Sequence, residues 1–147
     1  MLYDKDIREP LFMYFEEKYG KTRVFEEKRM GNSRADILII TEKDFIGIEI
    51  KSDADTYARL SGQVKDYDRY CDYNYVVAGS THGTHIGEHV PEYWGIITVE
   101  ETEKGVDFYP IEHILSTFSR LISALLRSNR GNFKRIISCY WWYKTEG

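Results

Sequence analysis

The chain has 147 residues, 20 Lys and Arg against 24 Asp and Glu, and a formal charge of −4. Its 42% of hydrophobic residues excludes a disordered chain, and its length predicts a single domain over residues 1–147 with a buried core. No apolar run reaches the roughly 18 residues of a membrane span. The N-terminus does not resemble a signal peptide, and two cysteines do not make a disulfide scaffold. These features favour a cytoplasmic protein.

Charge is distributed unevenly along the chain. Residues 1–112 carry 14 Lys and Arg against 23 Asp and Glu, whereas residues 113–147 carry six against one. An acidic body with a basic tail predicts two surfaces that serve different partners.

Apolar periodicity divides the chain into helices and strands. In chain order, the predicted elements are a helix over residues 4–19, strands over 22–30, 34–41 and 45–52, a helix over 56–72, strands over 73–79, 93–99 and 106–109, and helices over 111–129 and 133–143. Ser52, Asp53 and Asp55 are the candidate N-caps of the second helix.

This order predicts an α/β fold. An αβββαβ core over about residues 4–110 would hold a mixed central sheet flanked by helices, with a right-handed parallel crossover from the third strand to the fourth. Residues 111–147 would form a C-terminal basic helical extension.

The second and third strands carry the residues of chemical interest. Glu49-Ile50-Lys51 is one of three Glu-x-Lys tripeptides, so its context must decide its meaning. Alternation along the strand places Glu49 and Lys51 on one face and the isoleucines on the other. A two-residue turn at Glu42-Lys43 would pair Asp36 with Glu49, and a turn one residue later would pair Asp36 with Lys51. Either register brings all three side chains to one face.

Two adjacent carboxylates repel one another unless a cation joins them, and carboxylate oxygens suit Mg²⁺ or Mn²⁺. Asp36, Glu49 and the backbone carbonyl of Ile50 are therefore candidate metal ligands. Lys51 could orient water or stabilise charge on a phosphate. The alternative is a cross-strand ion pair on a solvated sheet face. The isoleucine runs on both strands favour burial instead, and buried charges require a reason.

Gln63 and Tyr67 lie four residues apart on the second helix and therefore share one of its faces. Together, Asp36, Glu49-Ile50-Lys51 and Gln63-x-x-x-Tyr67 resemble the PD-(D/E)xK nuclease superfamily and its RecB-like branch. Residues 34–79 resemble, more narrowly, the small sce7726-type proteins. Ala35 stands where the superfamily's name has proline.

The resemblance implies a restriction-endonuclease-like core, Mg²⁺-dependent phosphodiester hydrolysis and DNA as the substrate. It implies Asp36 and Glu49 as metal ligands, Lys51 as the catalytic lysine, and Gln63 and Tyr67 as catalytic-site residues on the helix.

Members of the superfamily often supply a further acid from the first helix. Glu16 is favoured over Glu17 because it lies beside the buried face of that helix. Glu27, on the first strand, is the alternative.

The basic tail predicts contacts with a nucleic-acid backbone. The candidate nucleic-acid-binding residues are Arg59 on the second helix and, in the tail, Arg120, Arg127, Arg130, Lys134 and Arg135. Arg69 could extend this surface. An amphipathic docking helix is the alternative, and Trp141-Trp142 could form a homodimer or protein-partner interface.

The sequence therefore predicts a metal-dependent DNA nuclease. One alternative is a structure-specific endonuclease similar to Holliday-junction resolvases. Another is a catalytically silent module that binds nucleic acid or protein on the same fold.

Overall fold

The computed structural model describes residues 2–80 and 85–111. Its elements are α1 (Asp4–Tyr19), β1 (Arg23–Met30), β2 (Ser33–Ile40), β3 (Phe45–Lys51), α2 (Leu60–Tyr70), β4 (Tyr73–Gly79), a short 3-10 helix (Ile86–Glu88), β5 (Gly95–Thr102) and β6 (Gly105–Ile111). The predicted helices and strands of this part of the chain are all present, within four residues of their predicted bounds. The first tail helix was predicted to begin at Ile111, which is instead the last residue of β6. The rest of the predicted tail helices and the candidate residues Arg120, Arg127, Arg130, Lys134, Arg135, Trp141 and Trp142 lie outside the described residues.

Six strands form one mixed sheet in the order β1-β2-β3-β4-β5-β6. The first three strands are antiparallel, β3, β4 and β5 run parallel, and β6 pairs antiparallel with β5. Parallel neighbours need a crossover connection, and α2 supplies the one between β3 and β4. The predicted mixed sheet and parallel β3–β4 pair are confirmed. Within the described residues, no helix is both long and apolar enough to cross a membrane.

Apolar side chains cover both faces of the sheet. On one face, Ile7, Leu11 and Phe15 of α1 belong to a buried cluster with the sheet. On the other face, Leu60 and Tyr67 of α2 belong to a second cluster. The sheet is thus the middle layer between two helices, which gives the domain two apolar layers to stabilise it.

β3 lies at the centre of this arrangement, and all seven of its residues are buried. Ile46, Ile48 and Ile50 join the cluster on the α1 side. The alternate residues Glu49 and Lys51 project towards α2, since both contact its side chains. The predicted burial of both faces of this strand is confirmed, and charged groups therefore lie inside the sheet.

The predicted cap of α2 is wrong. The helix begins at Leu60, four residues later than predicted, and its N-cap is Arg59, which makes no side-chain capping bond. The Asp55 carboxylate instead accepts hydrogen bonds from the backbone N–H and hydroxyl of Ser52, at 2.8 and 2.9 Å. Asp55 therefore stabilises a turn after β3 and is not available to cap the helix.

Gly47 on β3 makes the close packing of α2 possible. A Cβ atom at this position would lie 2.4 Å from Cδ1 of Tyr67 and 2.6 Å from Oδ1 of Asn74. Tyr67 is fully buried, so its ring cannot move aside without disturbing the cluster.

We expect Gly47→Ala to lower the free energy of unfolding by about 2–3 kcal/mol, because the added methyl group forces the buried ring and the strand apart. Urea denaturation followed by Trp fluorescence measures the change. Gly62→Ala is the matched control, because a Cβ there meets nothing within 4 Å and alanine favours the helix. Equal stability of the two variants would contradict this account of Gly47.

Candidate active site

The β2–β3 hairpin has the first of the two registers considered from the sequence. Ile37 pairs with Ile48, and the backbone N–H of Thr41 donates to the carbonyl of Asp44 at 3.0 Å, so the turn falls at Glu42-Lys43. The hydroxyl of Thr41 accepts from the backbone N–H groups of Lys43 and Asp44, at 3.2 and 2.9 Å, and stabilises this turn.

This register brings Asp36 beside β3 where Glu49 and Ile50 lie. Oδ2 of Asp36 accepts a hydrogen bond of 2.8 Å from the backbone N–H of Ile50. The structure therefore places Asp36 next to the Glu-x-Lys tripeptide, on the strand that precedes it.

The Glu49 carboxylate is held by side chains from α2 and from its own strand. Its Oε1 accepts 2.7 Å from Nε2 of Gln63 and lies 3.3 Å from Nζ of Lys51, while its Oε2 accepts 2.7 Å from the hydroxyl of Tyr67. Nζ of Lys51 also donates to Oε1 of Gln63 at 3.3 Å. Glu49 is 3% exposed and Lys51 is 6% exposed. The two helix residues chosen from the sequence thus contact the same carboxylate.

The hydroxyl of Tyr67 joins the second and third strands. It accepts from the backbone N–H of Asp36 at 3.2 Å and lies 3.1 Å from the carbonyl oxygen of Ile48. Burial and the adjacent Glu49 carboxylate raise the pKa of Tyr67 well above its usual value. Tyr67 therefore remains a neutral hydrogen-bond donor to Glu49.

Repulsion between the carboxylates shapes the electrostatics of the site. Burial, followed by the charge of Glu49, raises the pKa of Asp36 to about 8. The N–H of Ile50 and the guanidinium of Arg8 act in the opposite direction but do not offset these effects. A cation between two such carboxylates would relieve both the desolvation and the repulsion.

The oxygen atoms at this position fit a hard divalent cation. Each carboxylate has about four lone-pair positions. Oε1 of Glu49 contacts both Gln63 and Lys51, whereas Oε2 contacts only Tyr67 among these side chains. Oε2 therefore keeps a free lone-pair position. In the described part of the chain, no group of three or more His, Cys, Asp or Glu side chains is placed to hold a metal. The candidate set is therefore the two carboxylates and the Ile50 carbonyl, which is an oxygen-only set of the kind that suits Mg²⁺ or Mn²⁺.

Arg8 is a part of the site that the sequence reasoning missed. Its Nη1 donates 3.0 Å to the backbone carbonyl of Asp36, and its Nη2 lies 3.6 Å from Oδ1 of Asp36. The same guanidinium contacts the carboxylates of Asp4, Glu26 and Glu27. The i,i+4 spacing of Asp4 and Arg8 was visible in the sequence. It gave no sign that the pair faces the β1–β2 hairpin.

The structure does not bring Glu16 to the site. Its side chain is exposed and does not line the cleft described below, and Glu17 is exposed as well. Asp4 lines the cleft instead, so the site meets the N-terminal end of α1. Glu16 lies twelve residues further, which is about 18 Å along a helix. Periodicity predicted which face of α1 is buried, but it could not predict which end of the helix lies at the cleft.

Glu27, the alternative acid, forms ion pairs with two arginines. It contacts Arg8, and its Oε2 lies 2.7 Å from Nε of Arg34. Its backbone has φ 54°, a left-handed conformation that is unusual for a residue other than glycine. Glu27 therefore positions charges near Asp36 from β1, and it does not line the cleft.

The carboxylates open into a cleft of about 1280 Å³. Its base includes Asp36, Glu49, Lys51 and Gln63, and Arg59 lines it as well. Tyr67 lies beneath the base and is fully buried.

Arg69 does not line the cleft and lies over the ring of Tyr70. The cleft lining also includes Tyr3, Asp4, Lys5, Arg29, Asn32, Ser33, Arg34, Ile50, Ser52, Asp55, Ala58, Ser61, Gly62, Lys65 and Asp66.

These features define a mixed α/β protein with a buried carboxylate–lysine site at the base of an open cleft. The family model of bacteriophage P4 protein cII matches residues 5–129, and the chain belongs to that family. Among curated proteins, none matches this chain.

Solved structures similar to this one include an SfsA protein and an XisH family protein. SfsA of Pyrococcus furiosus in complex with Ca²⁺ has 16% identity and a TM-score of 0.45 over 68% of this chain, and the match spans 58% of the SfsA chain. An XisH family protein from Nostoc punctiforme has 15% identity and a TM-score of 0.42, with 66% of this chain and 92% of that chain covered. The comparisons give no support specific to RecB-like or sce7726-type proteins, and that narrower resemblance stays a prediction.

We expect Arg8→Met to lower the free energy of unfolding by about 2 kcal/mol, because it leaves several neighbouring carboxylates without their shared cation. Chemical denaturation measures the loss. Lys5→Met is the control, because Lys5 is exposed on the same helix, and its change should stay within about 0.5 kcal/mol. An Arg8→Met variant as stable as the control would show that the guanidinium network does not stabilise the fold.

Proposed function

We propose that the protein is a metal-dependent nuclease that hydrolyses DNA phosphodiester bonds with Mg²⁺ or Mn²⁺. The observation that carries the proposal is the cluster of Asp36, Glu49 and Lys51 at the base of the cleft. Buried charges are costly, and a fold that gathers two carboxylates and an ammonium group where a ligand can reach them has a functional explanation.

Asp36, Glu49 and the Ile50 carbonyl are the residues that would hold the metal. When bound, the ion would supply Lewis-acid chemistry, polarising the phosphodiester and activating a water molecule for attack. Gln63 and Tyr67 orient Glu49 through hydrogen bonds of 2.7 Å each. Such fixed donors keep a ligand carboxylate in one geometry.

Lys51 would act on the phosphate. Its ammonium group lines the cleft and is held at 3.3 Å by both Glu49 and Gln63, so it is oriented before a substrate arrives. A cation fixed in advance stabilises the charge that develops on the phosphoryl oxygens. In the net reaction, the oxygen of water bonds to phosphorus and one P–O ester bond breaks. One proton of the water goes to the released hydroxyl group, and the other goes to solvent.

We assign the core to the restriction-endonuclease-like fold and the site to the PD-(D/E)xK type. The order of α1, three antiparallel strands, α2 and a parallel fourth strand supports this assignment. The positions of Asp36 and of the Glu-x-Lys tripeptide on adjacent strands support it as well.

A catalytically silent module that binds nucleic acid is the second candidate. Specific ion pairs favour it, because Lys51 pairs with Glu49 and Arg8 lies near Asp36. These cations lie beside both carboxylates without a metal, and they offset part of the repulsion between them. Binding of DNA in the absence of any cleavage would support this candidate.

We expect the purified protein to cleave DNA with Mg²⁺ or Mn²⁺, and Lys51→Met to reduce the rate by about a hundredfold or more, because a positioned phosphate contact is lost. Gel assays on single-stranded, duplex and branched DNA measure this, and thermal melting checks that the variant is folded. Lys43→Met, in the exposed β2–β3 turn, is the control and should cleave normally. A lack of cleavage of all three DNA forms, or equal cleavage by Lys51→Met, would refute the nuclease proposal.

We also expect Mn²⁺ to raise the melting temperature of the wild-type protein, since a ligand present at 100 times its Kd adds about 2.7 kcal/mol to stability. Asp36→Asn should lose most of this stabilisation, because an amide is a much weaker ligand than a carboxylate. Asp66→Asn changes another acid of the cleft and should retain it. The same stabilisation of both variants would exclude Asp36 as a ligand.

A further inference from the structure

The cleft has a border of exposed cations that the proposed chemistry does not use. We propose that Lys5, Arg29, Arg34, Arg59 and Lys65, the cationic rim, form the principal surface for a nucleic-acid phosphate backbone. The basic residues 113–147 are then secondary. The inference rests on the proposed function in that the rim would serve the same site, but it is tested by binding and not by cleavage.

The balance of cations and acids at the cleft differs from that of the rest of residues 1–112. Residues 1–112 carry 14 Lys and Arg against 23 Asp and Glu. The cleft holds six of these cations and five of these acids. Among the described residues outside the cleft, eight cations therefore stand against 17 acids. An acidic protein repels a polyanion over most of its surface, so a backbone meets less repulsion at the cleft than over the rest of this stretch taken together.

The rim cations are available to a ligand. In the part of the chain that the structure describes, the exposed side chains of Lys5, Arg29, Arg59 and Lys65 make no ion pair or hydrogen bond with an acid. Arg34 contacts Glu27 through Nε and is still 69% exposed. Unpaired like charges gathered around one cleft repel one another, and an anionic ligand relieves that repulsion.

The rim surrounds the carboxylate base on several sides. Lys5 lies in the first turn of α1, and Arg29 and Arg34 lie where the β1–β2 hairpin turns. Arg59 is the N-cap of α2, and Lys65 lies at the middle of that helix. A backbone with a charge on every nucleotide can contact cations on all three of these elements along its length.

The size and lining of the cleft agree with a polymeric ligand. Its volume of about 1280 Å³ exceeds the roughly 300–1,000 Å³ of small-molecule pockets, which are mostly apolar. Charged and polar residues make up most of this lining. Phosphate contacts from such residues position a strand without reading its sequence.

The test measures DNA binding by full-length protein in EDTA, where metal-dependent cleavage is blocked. Fluorescence anisotropy of labelled single-stranded and duplex oligonucleotides is recorded over a series of salt concentrations. The rim variant is Arg29→Gln/Lys65→Gln. The control is Lys43→Gln/Lys104→Gln, which makes the same change in net charge at exposed positions outside the cleft. The third variant, Arg127→Gln/Arg130→Gln, removes two charges of the tail.

We expect the rim variant to bind about tenfold more weakly or worse, with a salt dependence whose log–log slope falls by about two on duplex DNA, because two phosphate contacts are lost. The control should bind as the wild type does, and the tail variant should lose less than the rim variant. If the wild-type protein binds DNA through the rim but cleaves no DNA with Mg²⁺ or Mn²⁺, the rim proposal stands and the nuclease proposal is refuted.

Three results would overturn the rim. The first is a wild-type protein that binds neither form of DNA. The second is a rim variant that behaves as the control does. The third is a tail variant that loses as much affinity as the rim variant or more.

Discussion

The burial of the Glu49 carboxylate between β3 and α2 is the constraint on which the rest of the site depends. A carboxylate at 3% exposure destabilises the fold unless donors satisfy it, and Gln63, Lys51 and Tyr67 lie around it. Two of these residues belong to α2, so the contacts that satisfy the charge also fix the helix on the sheet. Gly47 leaves the space that the ring of Tyr67 needs. Packing and site geometry therefore have the same origin.

Asp36, the other carboxylate of the site, is contacted from α1, which covers the face of the sheet opposite α2. Arg8 reaches from α1 to the backbone and carboxylate of Asp36 and to Glu27 on β1. Glu27 adopts a left-handed φ of 54°, which costs about 1 kcal/mol for a residue with a side chain, and it forms ion pairs with Arg8 and Arg34. Ile37 packs on the α1 side of the sheet, whereas Ala35 packs on the α2 side, so the alternation of β2 changes at Asp36. Local strain and a shared guanidinium thus set the position of this carboxylate.

In the described residues, acidic and basic side chains are concentrated in different parts of the surface. The negative surface lies mostly away from the cleft, while cations border an acidic base within it. A divalent cation and a phosphate backbone are complementary to these two regions, the first to the carboxylates and the second to the rim. The net charge of −4 averages over both and describes neither.

The sequence by itself determined the helices and strands of the described region and the central burial of β3, because apolar period is a local property. Strand alternation predicted that Asp36 lies with Glu49 and Lys51, but the alternation of β2 changes at Asp36, so its contact with Ile50 depends on the tertiary structure. The sequence left two hairpin registers open, and the hydrogen bonds of the Thr41 turn decided between them. Only the tertiary structure decided that Arg8 contacts Asp36 and that Glu16 does not reach the site. Periodicity identifies the buried face of a helix, but packing against the sheet sets which end of that helix meets the cleft.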